Sequence, residues 1–284
     1  LAVIQLLIGW WIWQLKIIFS RRNEFSKLFI YGLIILFLGH LLGWSFIKSE
    51  NTSDSINVAL WQSNVPIRDK YSSEELIRLP KKINLALKKA KELEASTMVA
   101  PEGTLPLNSK LSEPSLVNFL AGGFRLVDGN QRSSLLAINV GERAFSEALD
   151  KFRLVPLGEW SPKVISSLTS VGGLQPGDSS RLFEWQGPPL VGAICYEISD
   201  GSSIAKATFD GGEWILSIAN LDPYPLALQK QFISLAQLRS IESNRYLAIA
   251  SNTGPTSLIK NTGKVEFTLR PFQEELVLTK VALS

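Results

Sequence analysis

The chain has 284 residues, of which 45% are hydrophobic, and its 29 basic side chains stand against 26 acidic ones. That hydrophobic content excludes an intrinsically disordered chain, while a single cysteine and a single histidine exclude a disulfide framework and a zinc site built from Cys or His ligands. The excess of positive charge lies in residues 1–47 and the remainder is balanced, so we expect no nucleic-acid partner.

Two apolar segments open the chain. Leu28–Ile47 is 20 residues long and has no formal charge, which is the length that an α-helix needs to cross a hydrocarbon core of roughly 30 Å. Leu1–Phe19 is similarly apolar and has one charge near its end, at Lys16, where a lysine can extend towards the interface. The sequence predicts two transmembrane helices here, in preference to a buried helix pair or a cleaved signal peptide.

The loop between these segments, residues 20–27, carries three positive charges. Short basic loops stay in the cytoplasm. We therefore expect both outer ends of the hairpin, and everything after Lys48, to lie outside the cytoplasm. Because residue 1 is leucine and the only methionine is Met98, we also expect the chain to be the C-terminal portion of a longer protein.

After a polar linker at residues 48–55, predicted strands and helices alternate over residues 56–284. The predicted strands are Ile56–Trp61, Thr97–Ala100, Ser134–Val140, Leu190–Ile194, Trp214–Ala219, Tyr246–Ser251, Ser257–Lys260 and Val265–Leu269. Apolar residues at helical spacing predict two amphipathic helices, one through Ile83, Leu87, Ala90 and Leu93 and one through Leu228, Phe232, Leu235 and Ala236. This pattern predicts one α/β or α+β domain whose helices cover its sheets.

Cys195 is the only thiol and follows directly after the apolar strand Leu190–Ile194. The residues after it, beginning with Tyr196 and Glu197, lead into a turn that contains Gly and Ser. A strand end followed by a turn exposes a side chain next to backbone N–H groups, as a nucleophile and its oxyanion site require. Most free cysteines, however, are small buried hydrophobes, so position alone leaves both interpretations open.

A cysteine nucleophile needs a base and a positive potential. The only histidine, His40, lies in a predicted membrane segment, which excludes a Cys–His pair and leaves a carboxylate and a lysine as candidates. Glu102 ends a short predicted strand between a proline and a glycine, and Lys151 precedes Glu159 by eight residues. Taken singly, each of these residues is better explained as an ordinary surface charge.

Taken together, Glu102, Lys151 and Cys195 resemble in order and context the Glu-Lys-Cys triad of the nitrilase superfamily. Three strings are similar to segments of the apolipoprotein N-acyltransferases: DKFRLVPLGEW at 150–160, LQPGDSSRLFEWQGPPLVGAICYEI at 174–198 and LAQLRSIESNRYLAIASNTGPTSLI at 235–259. The loop at 220–225 departs from the aromatic loop that this family usually has. The resemblance covers about Ile56 to Leu269, together with the two apolar segments.

The resemblance implies a nitrilase-type α/β fold, a four-layer α-β-β-α sandwich preceded by two transmembrane helices. It further implies a multi-pass protein of a bacterial inner (plasma) membrane with its catalytic domain on the periplasmic face. The domains would be a transmembrane hairpin at 1–47, a linker at 48–55 and a catalytic domain at 56–284.

The resemblance also implies roles for the triad. Cys195 would take an acyl chain from a membrane phospholipid as a thioester, Glu102 would act as the base, and Lys151 would stabilise the oxyanion. Three further residues are implied to support the site: Glu159, Tyr196 and Glu197. No metal site and no organic cofactor are required.

The implied acceptor is the α-amino group of the diacylglyceryl-modified N-terminal cysteine of an apolipoprotein, so the partners would be phospholipid, apolipoprotein and the lipid bilayer. One alternative is a membrane-tethered amidase or nitrilase-type carbon–nitrogen hydrolase, in which water resolves the acyl-cysteine. A catalytically silent scaffold or lipid-binding protein is a further alternative, which the intact triad disfavours.

Overall fold

The structure is a computed structural model that describes residues 8–13, 25–46, 54–156, 158–160 and 173–284. The chain divides into two units, Leu1–Ser49 and Glu50–Ser284. Most of the linker predicted at 48–55 lies outside the described residues.

In the first unit, residues 8–13 are helical and helix α1 spans Phe25–Phe46. A Cβ atom at Gly32 would collide with the indole of Trp11, so the glycine lets these two helical segments touch. Among the described residues, no helix has both the length and the apolar character needed to cross a membrane. The span predicted at Leu1–Phe19 lies outside the described residues except for 8–13, and the two predicted transmembrane helices are not shown by the structure.

The second unit contains two sheets that each have six strands within the described residues. The strands of the first sheet are β1 (Ser55–Gln62), β2 (Thr97–Leu105), β3 (Asn118–Val127), β4 (Asn130–Ile138), β5 (Glu147–Asp150) and β12 (Glu275–Ala282). Those of the second are β6 (Leu182–Phe183), β7 (Leu190–Ile194), β8 (Trp214–Ala219), β9 (Leu247–Ser251), β10 (Ser257–Ile259) and β11 (Val265–Thr268). Their orders are β12-β1-β2-β3-β4-β5 and β11-β10-β9-β8-β7-β6.

Each sheet has a parallel centre, formed by β1-β2-β3 in one and β7-β8-β9 in the other. Parallel neighbours need long crossover connections. Helices supply three of them: α2 (Ser73–Glu92) joins β1 to β2, α3 (Gly201–Phe209) joins β7 to β8, and α4 (Leu226–Ser243) joins β8 to β9. As a result, the carboxyl ends of the central strands gather the loops that follow them.

A capping residue and charged side chains in the terminal turns stabilise the two ends of helix α2. The Ser72 hydroxyl accepts a hydrogen bond from the Glu75 N–H, which caps the first turn. Acidic residues occupy the first turn and basic residues the last, as the helix dipole favours. Its buried apolar face packs on the first sheet through Ile83, Ala86, Leu87 and Ala90.

The buried apolar side chains of residues 54–156 and 173–284 form three layers. One lies between the two sheets and includes Leu60, Leu120, Trp214 and Ala248. A second lies between α2 and the first sheet, and a third between the second sheet and helices α3 and α4. The layer order is therefore α-β-β-α, and the predicted α/β domain with helices covering its sheets is confirmed.

Candidate active site

A cleft of about 250 Å³ opens beside the second half of β2, where the chain also leaves strands β7 and β8. Three of the residues singled out from the sequence line it: Glu102, Glu159 and Cys195. A fourth, Lys151, is completely buried and contacts two of these three. The structure thus brings together side chains that lie up to 93 positions apart in the sequence.

Cys195 directly follows β7 and is the first residue of a tight 3-10 turn, Cys195–Ser199. Its φ of +53° lies in the left-handed region, which is unfavourable for a residue with a side chain. Residues in such conformations persist only when their surroundings hold them, and they concentrate at functional sites. The cysteine side chain is 6% exposed and faces the cleft.

Glu197 holds this turn in place. It is 2% exposed and accepts a hydrogen bond from the Ile194 N–H at 2.9 Å, directly before the cysteine. It also accepts from the N–H groups of Phe152 and Arg153 at 2.7 and 3.1 Å, directly after Lys151. A buried ion pair with Arg181, at 2.9 Å, balances its charge. Glu197 therefore ties the turn of the thiol to the turn that follows the lysine.

Tyr196 is placed differently from the other two supporting residues, Glu159 and Glu197. Its side chain is 43% exposed, and it is absent from the described lining of the cleft. Its proposed supporting role has no contact in the described structure comparable with those of Glu197.

Lys151 lies between two carboxylates. Its Nζ donates to Glu102 Oε1 at 2.9 Å and to Glu159 Oε1 at 2.7 Å. The second oxygen of each carboxylate is also occupied: Glu102 Oε2 accepts from the Asn220 N–H at 3.1 Å, and Glu159 Oε2 accepts from the Val155 N–H at 2.9 Å. Backbone N–H groups therefore fix the orientation of both carboxylates that bind the ammonium.

The charges at the site determine which groups are ionised. Burial opposes the ammonium form of Lys151, but the attraction of Glu102, Cys195 and Glu159 outweighs it and keeps the pKa of Lys151 above its ordinary value. Burial raises the pKa of the Cys195 thiol, and Glu102 raises it further through its charge and a hydrogen bond. Burial likewise raises the pKa of Glu159. These shifts favour a protonated thiol and a lysine cation.

A close approach of two strands fixes the position of Glu102. Gly122 on β3 lies against the backbone of β2, and a Cβ atom there would collide with the Cα of Glu102 and the carbonyl oxygen of Pro101. Only glycine allows the two strands to lie this close.

Asp150, the neighbour of Lys151, anchors the end of β5. Its carboxylate accepts from Arg125 at 2.6 and 2.7 Å, from Arg132 at 2.8 Å and from the Ser134 hydroxyl at 2.7 Å. Burial raises its pKa, but these hydrogen bonds prevail and hold the pKa of Asp150 below its ordinary value.

This anchoring predicts an acid-dependent contribution to stability. Since the folded pKa of Asp150 is lowered, the contribution is complete above the ordinary aspartate pKa of about 3.9 and is lost as the pH falls through the folded value. We expect Asp150→Asn to lower the urea midpoint at pH 7. Below about pH 4, the stability of this variant should depend less on pH than that of the wild type. Equal midpoints for the two proteins at pH 7 would show that the carboxylate does not stabilise β5.

Several cleft residues were not found from the sequence. Lys70 and Tyr71 follow β1, and their positions after a strand were the available signal. The Lys70 Nζ donates to the Glu102 carbonyl oxygen at 2.7 Å, and burial lowers the pKa of Lys70 to about 8. The divergent loop at 220–225 also reaches the cleft, where Asn220, Pro223 and Tyr224 line it. Within the described ranges, no group of three or more His, Cys, Asp or Glu side chains is arranged to hold a metal ion.

Comparisons with known proteins agree with this architecture. No protein-family model matches the chain. Solved structures of similar fold include Nit3 of Saccharomyces cerevisiae, a member of branch 10 of the nitrilase superfamily, with a TM-score of 0.60 and 16% identity over 83% of this chain and 93% of that one. A variant of an amidase of the same superfamily from Nesterenkonia has a TM-score of 0.59 and 14% identity over 84% and 93% of the two chains. The fold is therefore of the nitrilase type.

Several curated relatives carry the name apolipoprotein N-acyltransferase. The protein from Prochlorococcus marinus strain SARG is 49% identical over 288 residues, which cover 100% of this chain and 58% of that protein. The protein from Parasynechococcus marenigrum strain WH8102 is 45% identical over 276 residues, or 95% and 58%. The chain thus spans somewhat more than half the length of these relatives. Over nearly all of its own length, the chain is thus a homologue of proteins named apolipoprotein N-acyltransferase, and it has a nitrilase-type fold.

Proposed function

We propose that this chain contains the catalytic domain of a phospholipid-dependent N-acyltransferase. It would move a fatty acyl chain, through a thioester on Cys195, to the α-amino group of the lipid-modified N-terminal cysteine of an apolipoprotein. The observation that carries the proposal is the cleft in which Cys195 meets Glu102 and the buried Lys151. The name shared by the curated relatives supports the choice of substrates.

In the first half-reaction, Cys195 Sγ attacks the ester carbonyl carbon of the phospholipid while Glu102 takes the thiol proton. A resting thiolate is not needed, because the Glu102 carboxylate beside the thiol takes the proton as the sulfur attacks. The oxyanion that forms is stabilised by the Lys151 ammonium, whose charge the two neighbouring carboxylates maintain. The C–O bond then breaks, Glu102 returns the proton to the leaving alkoxide, and a lysophospholipid departs.

In the second half-reaction, the neutral α-amine of the acceptor attacks the thioester carbonyl. Glu102 takes a proton from the attacking nitrogen, Lys151 again stabilises the oxyanion, and the C–S bond breaks. The thiolate takes the proton from Glu102, which restores the resting thiol. Splitting ester-to-amide exchange into two steps in this way is what covalent catalysis achieves.

The proposal includes a membrane setting. The uncharged segment Leu28–Ile47, the apolar segment Leu1–Phe19 and the basic loop between them support two transmembrane helices, with residues 56–284 on the periplasmic face of a bacterial inner membrane. Both proposed substrates carry lipid, so a catalytic domain held at that surface meets them at high effective concentration.

Intact mass spectrometry tests the proposal. The protein is incubated with phospholipid alone, and we expect a mass gain equal to one acyl chain that hydroxylamine removes. Addition of a diacylglyceryl-modified N-terminal cysteine peptide should then discharge the enzyme and acylate the peptide. Discharge to free fatty acid at the same rate with and without the peptide would instead identify a hydrolase.

The close approach at Gly122 predicts a second result. Gly122→Ala would push the backbone of Glu102 away, and overpacking of this kind costs about 1–3 kcal/mol. Because small displacements at a reacting centre are costly, we expect thioester formation to slow by roughly 10²-fold. Gly129→Ala is the control, since its Cβ meets nothing within 4 Å and its φ of +77° gives a stability cost away from the cleft. Equal rates per folded molecule in the two variants would contradict this role for Gly122.

A further inference from the structure

The mechanism above leaves one buried charge in the cleft unused. Lys70 lines the cleft together with Glu102 and Cys195, and it is 8% exposed. Within the described part of the chain, its Nζ makes one hydrogen bond, to the Glu102 carbonyl oxygen at 2.7 Å, and no ion pair. An ammonium has three N–H donors, so two remain available at the wall of the cleft.

The surroundings of Lys70 do not neutralise it at short range. Glu102 and Asp222 attract it, but the Glu102 carboxylate is engaged by Lys151, and Asp222 Oδ2 accepts from the Ile67 N–H at 2.9 Å. A buried ammonium without a direct counter-ion is costly, unless a ligand supplies the anion.

Glu102 also relates the two ammonium groups of the site to each other. Its carbonyl oxygen contacts Lys70, while its carboxylate contacts Lys151 beside the thiol. The two cations are thus separated by the span of one glutamate residue plus a hydrogen bond at each end. In a glycerophospholipid, the ester carbonyl and the phosphodiester are likewise separated by a short glycerol backbone.

We propose that Lys70 binds the phosphodiester oxygens of the acyl-donor phospholipid while its ester carbonyl lies at Cys195 and Lys151. This inference rests on the proposed function for the identity of the donor. It makes Lys70 a residue that selects a charged phospholipid over a neutral glycerolipid.

The test measures binding without turnover, by protection of Cys195 from iodoacetamide in the full chain at pH 7, followed by intact mass. The probes are a diether phosphatidylglycerol, which has no ester to react, the neutral diether glycerolipid with the same chains, and inorganic phosphate. We expect Lys70→Met to raise the apparent Kd of the charged lipid roughly tenfold and to leave that of the neutral lipid unchanged. Lys70→Arg should retain the preference, and Lys110→Met, at an exposed lysine of a different groove, should match the wild type.

Three results would overturn the inference. The first is an unchanged Kd for the charged lipid in Lys70→Met. The second is an equal rise in Kd for both lipids, which loss of Glu102 positioning would produce. The third is full protection of Cys195 by inorganic phosphate alone at the same concentration. For each variant, protection is the ratio of the alkylation rates with and without lipid. A change in the intrinsic reactivity of the thiol therefore does not affect the comparison. Lys70-dependent protection in a protein that forms no thioester with ester phospholipid would reject the proposed acyl transfer and leave the lipid site standing.

Discussion

Cys195→Ser is expected to abolish acyl-enzyme formation while leaving the protein folded. The substitution changes one atom at a side chain that is 6% exposed, so packing around the turn is preserved. The alcohol, however, is far harder to ionise than the thiol and forms an ester in place of a thioester. Loss of the nucleophile costs on the order of 10⁶ in rate in a serine protease where it has been measured. Intact mass after incubation with phospholipid should show no gain in the variant.

Because the backbone at position 195 has an unusual conformation, a second substitution there serves as the control. Cys195→Ala retains the same positive φ, so both variants should unfold at a urea midpoint close to that of the wild type. A hydroxylamine-sensitive acyl group on Cys195→Ser, or on Cys195→Ala, would place the nucleophile elsewhere and reject the mechanism.

The central strands were predictable, because they are short apolar runs that end in turn residues. Strands β7 and β8 have the bounds predicted, Leu190–Ile194 and Trp214–Ala219. Strands with weaker patterns were missed, among them β3, which contains two consecutive glycines at 122 and 123, and β12, whose apolar residues are interrupted by Thr279 and Lys280. Their strand conformation is determined by pairing with β2 and β1, which lies outside any local pattern.

The geometry of the site was only partly predictable. The sequence singled out Glu102, Lys151, Glu159 and Cys195, and the structure places their side chains around one cleft. The sequence analysis missed Lys70, because its position after a strand is a weak signal and a lysine in a charged, turn-rich segment otherwise has the pattern of a surface residue; the structure places it beside the Glu102 backbone. Nor could the sequence reveal that the divergent loop contributes a backbone donor at Asn220, because a backbone N–H has no sequence signature.

Lys151→Met is expected to lose both activity and stability. Removal of one oxyanion donor typically costs about 10²–10³ in rate. In addition, the fully buried ammonium pairs with Glu102 and Glu159, and removing it leaves two adjacent carboxylates without their cation. Breaking a buried ion pair on one side costs about 3–5 kcal/mol, which urea titration should detect as a lowered midpoint. Lys206→Met is the matched control, because its pair with Asp210 is exposed, with 75% of the lysine side chain accessible, and such pairs contribute about 0–1 kcal/mol.

A double variant separates the two effects. Adding Glu159→Gln to Lys151→Met removes one of the two uncompensated carboxylates, and the neutral amide still accepts the hydrogen bond from the Val155 N–H. We therefore expect the double variant to regain much of the lost stability without regaining thioester formation. Recovery of activity together with stability would mean that Lys151 serves only to neutralise its neighbours. Stability without activity would instead support the ammonium as the group that holds the oxyanion, because a charge needed in the transition state is not replaced by repairing the ground state.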